Sequence, residues 1–182
     1  KEFVGDIRDA ELVKAAVKDT DVVFHLSSLN RAGRDEIQRL YETNVMGTLN
    51  LAEAISQNAN MSNKACKLVF FSTGQAYTSS SGAPVDERTP TRAGNFYVAS
   101  KLAGEGIVSA GMRSESFSGS ILRLFNTYGP GQSKETLITS AIAKFCEASE
   151  ITLGNLAPQR DFVFVSDVVE SAVKAAFSDT GQ

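Results

Sequence analysis

The run Leu68-Val-Phe-Phe-Ser-Thr-Gly-Gln-Ala-Tyr77 passes without a break from apolar residues into a hydroxyl-bearing turn. A short apolar run without alternation suits a strand buried on both faces of a parallel sheet. Two other segments share this character: Asp21-Val-Val-Phe-His-Leu-Ser27 and Ser120-Ile-Leu-Arg-Leu-Phe125. Lys1 to Val4 offers a further short strand. Between these runs the apolar residues return at helical spacing. Residues 9–18 place Leu12, Val13, Ala16 and Val17 on one face. Helices are also expected over 35–57, 96–112, 135–148 and 167–177, the last capped by Ser166 or Asp167. Strand–helix alternation predicts an α/β fold with a mostly parallel sheet. Ligands of such sheets bind beyond the carboxyl ends of the strands. Small polar residues follow the three long strands there: Ser27 and Ser28, Ser72 and Thr73, and Asn126. Residues 78–90, with Gly82, Pro84 and Pro90, read as a surface loop.

Composition narrows the function classes. At 42% hydrophobic and 21% charged, 182 residues suffice for an ordinary globular core. The net charge is −3 and the basic residues are scattered, which argues against a nucleic-acid groove or an anionic membrane surface. No apolar stretch approaches the ~20 residues of a membrane span, and no signal peptide precedes the first strand. Cys66 and Cys146 lie far apart in apolar surroundings and are expected to be free, packed thiols. A cytoplasmic protein without a metal site is the expectation.

Tyr97 and Lys101 stand four residues apart in a helical segment, so both occupy one face. An ammonium beside a phenol favours the phenolate and should lower the tyrosine pKa. A tyrosine tuned in this way serves as a general acid–base near neutral pH. By itself the pair is a weak signal, since many helices carry it by chance on a solvated face. His25, the only histidine, lies inside a buried strand and reads as a satisfied core residue rather than a base. Arg123 reads chiefly as structural.

Context adds to that pair. Leu68 to Tyr77 is followed by Pro84 and Glu87, by Asn95-Phe-Tyr-Val-Ala-Ser-Lys101, and by Leu122-Arg-Leu-Phe-Asn-Thr-Tyr-Gly-Pro-Gly131. Gly5-Asp-Ile-Arg-Asp9, Val22-Val-Phe-His-Leu26, Tyr41-Glu-Thr-Asn-Val-Met-Gly-Thr48 and Arg160-Asp-Phe-Val-Phe-Val-Ser-Asp167 complete the series. In order and spacing these landmarks resemble the extended short-chain dehydrogenase/reductases that act on nucleotide sugars. The resemblance covers essentially the whole chain. It implies a Rossmann-like doubly wound sheet and a cofactor, NAD, with NADP left open. Thr73, Tyr97 and Lys101 would be catalytic. Asp6 and Ile7 would contact adenine. Leu26, Ser27 and Ser28 would line the dinucleotide, Asn44 would serve either the cofactor or the fold, and Phe125 would lie by the nicotinamide. Tyr97 and Lys101 would also touch the cofactor. Thr73, Gly74, Gln75, Asn126 and Arg160 would face the nucleotide-diphosphate sugar, Arg160 through charge-assisted bonds. A homodimer through the helices at 35–57 and 96–112 is implied as well.

The residues after Thr73 separate the reactions. Dehydratases of this family carry carboxylates there, because elimination of water needs an extra acid and base. This chain has Gly74 and Gln75, and an amide cannot transfer the proton. Epimerisation, most simply at C4, needs no such group. A dehydratase, a keto-sugar reductase and a non-catalytic protein retaining the fold remain the rivals.

The family's Gly-rich phosphate loop is not in this sequence; Gly129 and Gly131 belong to the Tyr-Gly-Pro turn. Glu2 to Val4 would then be the third strand of the sheet and 21–27 the fourth, with a bare edge where the first two would lie. The chain is thus expected to be a fragment of a parent of roughly 300 residues, the usual length that the resemblance implies. As an isolated piece it should bind NAD poorly, without a pyrophosphate cradle at a helix N-terminus. Residues 1–126 would form an incomplete NAD-binding portion and 127–182 the start of a substrate lobe.

Overall fold

The computed structural model describes residues 2–30, 33–62, 66–78, 84–148, 150–152, 154–155, 157 and 159–178. Two compact units are present, Lys1–Arg123 with Ala172–Gln182, and Leu124–Ser171.

In the first unit Asp9 caps α1 (Ala10–Val17), its carboxylate accepting from the amides of Glu11 and Leu12. β1 (Val22–His25) follows. A helical stretch then begins with a 3₁₀ turn, Arg34–Glu36, and continues as α2 (Ile37–Tyr41). It widens into a π-helical turn, Glu42–Met46, and resumes as α3 (Gly47–Ser62). β2 (Lys67–Thr73) ends in a 3₁₀ turn, Gly74–Ala76. α4 (Phe96–Arg113) is capped by Asn95, whose side chain accepts from the Val98 amide at 2.9 Å. β3 (Ser118–Leu124) completes a sheet of order β1-β2-β3. β1 and β2 run parallel, with Val22 opposite Lys67 and His25 opposite Phe70.

The core lies where α1, α3 and α4 meet this sheet. Ile55, Leu68, Phe70 and Val108 have no exposed surface. Each such side chain contributes about 1.5–3 kcal/mol when buried. Small residues allow close approach. A Cβ at Gly104 of α4 would stand 2.7 Å from the Phe70 ring, so the helix can rest on β2 only with glycine there.

The second unit contains β4 (Asn126–Tyr128), α5 (Leu137–Glu147), β5 (Phe162–Phe164) and the start of α6 (Val165–Phe177). β4 and β5 pair in parallel, Thr127 opposite Val163. The Tyr128 ring packs edge-on against Phe164 at 5.3 Å and Phe162 at 6.4 Å.

Several expectations are corrected. Glu2–Val4 is exposed and no strand, since no described segment pairs with it to form a ladder. The helix expected over 35–57 runs on to Ser62 and contains the π turn. α6 begins at Val165, directly after β5, so Ser166 and Asp167 sit in its first turn rather than capping it. Asp167 there still complements the helix N-terminus. Cys66 is buried, but Cys146 is exposed; among the described residues neither forms a disulfide. α5 has no buried residue, and Leu137, Ile142 and Phe145 are each more than half exposed. The loop at 78–90 lies partly outside the described residues. Its closing end is fixed where the Thr78 amide bonds Pro90 O and the Arg92 amide bonds Ala76 O. Among the described residues no helix is long and apolar enough to cross a membrane.

Candidate active site

Thr73 stands at the carboxyl end of β2 and is buried. Its hydroxyl caps the following turn by accepting from the Gln75 amide at 3.2 Å. The Tyr97 phenol lies near enough to feel this hydroxyl. The Asn95 cap fixes where α4 starts and so sets Tyr97 in its first turn, with Lys101 one turn further along. Lys101 is buried, with its ammonium 4.4 Å from the centroid of the Phe70 ring. The structure thus brings Thr73 and Tyr97 together and sets Lys101 behind them.

The expected lowering of the Tyr97 pKa is not found in this state. Burial pushes the phenol up, and the nearby Thr73 hydroxyl only partly opposes it. Spacing of four residues places both side chains on one face, but the Lys101 ammonium rests on Phe70. Burial also lowers Lys101 to about 8, with the Glu105 carboxylate acting the other way. At neutral pH Lys101 therefore keeps its charge.

Asn44 sits within the π turn, buried, and spends both amide protons on Leu29 O (2.8 Å) and Ser100 Oγ (2.9 Å). Its amide oxygen accepts from the Leu29 amide at 2.7 Å. Ser100 in turn donates to Tyr97 O at 2.8 Å. Asn44 consequently ties the segment after β1 to the first turn of α4, a structural role. His25 is buried, bonded to Thr48 Oγ1 at 2.9 Å and tilted against Phe70. Its pKa falls to about 4, first through burial and then through Lys101.

Four residues expected on the dinucleotide, Asp6, Ile7, Leu26 and Ser27, line one groove with Gly5 and His25. Ser28 and Asn44 do not line it. The Asp6 carboxylate is gripped by the Arg8 side chain and amide, which hold it down at about 2. Two residues outside the expected set anchor the Ile7 turn. The Asn50 side chain donates to Ile7 O and Arg8 O, both at 3.1 Å. Gly47 lets α3 approach, since a Cβ there would meet Ile7 at 2.6 Å. The signal was a glycine and an asparagine three residues apart in the Asn-containing helix.

In the second unit Asn126 and Arg160 line one pocket with Thr127, Gln132, Thr136 and Phe162. Asn126 is held through two bonds to Asp161 O. The Arg160 guanidinium donates to Gln159 O, and among the described residues it forms no ion pair with Asp161 or Asp167. Gln132 was not expected. It bonds Thr127 O at 2.7 Å and accepts from Thr139 at 3.2 Å. Phe125 precedes β4 in this unit and is partly exposed.

Glu105 also went unmarked in the sequence. It is buried on α4 one turn beyond Lys101. Arg123 of β3 donates to it through Nε (2.9 Å) and Nη2 (2.7 Å), and Ser72 Oγ donates to the same carboxylate. The Arg123 guanidinium lies 4.9 Å from the Tyr77 ring centroid. An arginine inside an apolar strand run was the available signal, because such a charge demands a buried partner.

A parallel sheet followed by a Thr73 turn, with tyrosine and lysine one turn apart on the next helix, defines the short-chain dehydrogenase/reductase class of α/β protein. Within that class the chain belongs to the NAD dependent epimerase/dehydratase family, whose model matches residues 2–181. It is 33% identical over 183 residues to a putative UDP-glucose 4-epimerase of Methanocaldococcus jannaschii, covering 96% of this chain and 58% of that protein. It is 30% identical over 169 residues to a dTDP-glucose 4,6-dehydratase of Mycobacterium tuberculosis, covering 90% and 49%. Its fold matches the crystal structure of UDP-glucuronic acid 4-epimerase from Bacillus cereus in complex with UDP-glucuronic acid and NAD, with TM-score 0.82 and 27% identity. That match covers 97% of this chain and 55% of the other. The chain thus spans about half the length of the curated relatives it matches.

Proposed function

We propose that the protein carrying this chain epimerises a nucleotide-diphosphate sugar, at C4, through a transient keto sugar. One observation carries the reading. Thr73 ends β2 beside α4, whose first turn carries Tyr97 with Lys101 one helical turn behind, while the two residues after Thr73 offer no carboxyl group. In this reading Thr73 hydrogen-bonds the sugar oxygen and Tyr97 takes the hydroxyl proton, later returning it. Burial disfavours the phenolate, so the cation on the same helix face, Lys101, must offset that cost in the working complex. Asp6, Ile7, Leu26 and Ser27 fit the adenosine end of NAD, because they share one groove, which runs on along β1 and the apolar face of α1. The pyrophosphate cradle is not among this chain's residues. NAD, when bound, supplies the acceptor and donor of hydride. Asn126 and Arg160 would hold the substrate diphosphate, a role supported by their common pocket. Pairing of two copies through the helices at 35–57 and 96–112 belongs to the same proposal.

The test is turnover of UDP-, GDP-, CDP- and dTDP-sugars by the whole protein, with products followed by NMR. A C4-inverted sugar is expected without net consumption of cofactor. Accumulation of a 4-keto-6-deoxy sugar would assign a dehydratase, and stoichiometric NADPH use a reductase.

A further inference from the structure

We propose that the partly buried Glu105–Arg123 pair is a clamp that positions the turn bearing Thr73. The inference rests on the reading of Thr73 as a substrate-facing hydroxyl, but its geometry is independent of it. Glu105 receives the Arg123 fork through two parallel bonds and the Ser72 hydroxyl through a third. Ser72 immediately precedes Thr73. On the far side of the turn, Tyr77 lies against the Arg123 guanidinium and bonds back to Gly74 O through its amide. The pair therefore grips the chain just before and just after Thr73-Gly-Gln-Ala76.

Stability is a poor explanation for this arrangement. An ion pair drawn largely out of water roughly breaks even against apolar residues of the same volume, because desolvation offsets much of the attraction. An apolar pair would not aim a hydrogen-bond acceptor at Ser72. The planar guanidinium fixes the carboxylate plane in two directions, which a lysine could not do. The clamp also joins three elements, β2, α4 and β3, so the turn is referenced to the helix that carries Tyr97 and Lys101. The Glu105 charge additionally favours the ammonium form of Lys101. Glu105 and Arg123 are positioning residues, acting through Ser72 and Tyr77.

The test uses Arg123→Lys, Glu105→Gln and Ser72→Ala in the whole protein, with Asp86→Asn as a control in an exposed ion pair. Amide hydrogen exchange is followed at Gln75 and Tyr77, whose protons bond Thr73 Oγ1 and Gly74 O. The clamp predicts exchange at these two amides faster by about tenfold or more, with the β1 amides unchanged. It also predicts that kcat falls by about tenfold or more while KM holds, because orientation rather than ground-state binding is lost. Asp86→Asn should change neither. A uniform rise in exchange across β1, β2 and α4 would overturn the clamp in favour of plain structural stability, as would unchanged exchange at Gln75. Should Glu105→Gln fail to fold, Ser72→Ala still decides, because it leaves the ion pair intact. Should the wild type turn over none of the sugars, the function proposal fails and the exchange result alone settles the clamp.

Discussion

The His25 ring is buried and Tyr97 half-buried, and the two make opposite demands on charge. If Tyr97 is the proton acceptor, Tyr97→Phe removes general acid–base catalysis and should cost roughly 10²–10⁴-fold in kcat. Circular dichroism should be unchanged, because the phenol oxygen makes no bond that the fold depends on. His25 carries a stability prediction. Its folded pKa of about 4 lies below the ordinary 6.5, so the native state holds the ring neutral. Above pH 6.5 neither state is protonated and stability is full. As pH falls from 6.5 towards 4 the unfolded chain gains a proton that the native state refuses, and stability drops. Over that interval, at ~1.4 kcal/mol per pH unit, the loss reaches about 3 kcal/mol. Urea unfolding from pH 7 to 4 measures it, and His25→Gln should flatten that part of the curve. The buried role of His25 was legible from the apolar residues around it. The pKa of Tyr97 was not, because sequence spacing says which face a lysine shares but not which neighbour its ammonium selects.

Among the elements, α4 does the most positioning, and two of its glycines differ in consequence. Gly104 meets the buried Phe70 ring, which itself supports Lys101. Gly104→Ala gains about 1 kcal/mol of helix propensity but overpacks a fixed ring at a cost of about 1–3 kcal/mol. Net destabilisation and a lower urea midpoint are expected. Gly106 is exposed with open space around it, so Gly106→Ala should stabilise by up to ~1 kcal/mol. The elements were largely readable because periodicity and caps are local. α1 and α4 match within a residue or two. What escaped was non-local. Glu2–Val4 failed as a strand because a strand is defined by its neighbour. Glu105, Arg123 and Ser72 come together from three elements, and only the lone arginine in an apolar run hinted at it. The π turn left no periodic signature, since Leu40 and Leu51 point inward on either side of it.

At the scale of the molecule, β1 is the sheet's edge among the described residues, with Phe24 and Leu26 partly exposed beside unpaired backbone. Such an edge templates further strand pairing. This chain on its own should therefore self-associate as concentration rises, and Phe24→Lys should suppress it; light scattering over a dilution series reads the difference. The order β1-β2-β3 and the bare edge were legible from the strand sequence and the absent Gly-rich loop. The division at Arg123 and Leu124 follows from packing and had no counterpart in composition. The π turn has a consequence for how this helix tolerates insertions and deletions. The wide turn absorbs one surplus residue, so the helical phase downstream is kept. Gly47 meets Ile7, Thr48 meets His25, and Asn50 holds the Ile7 turn. Removing a single residue from Glu42–Met46 would hardly shorten the helix. It would close the wide turn to an ordinary α-helical one and leave all three facing their partners, whereas a deletion elsewhere in the helix would turn its downstream face by about 100°.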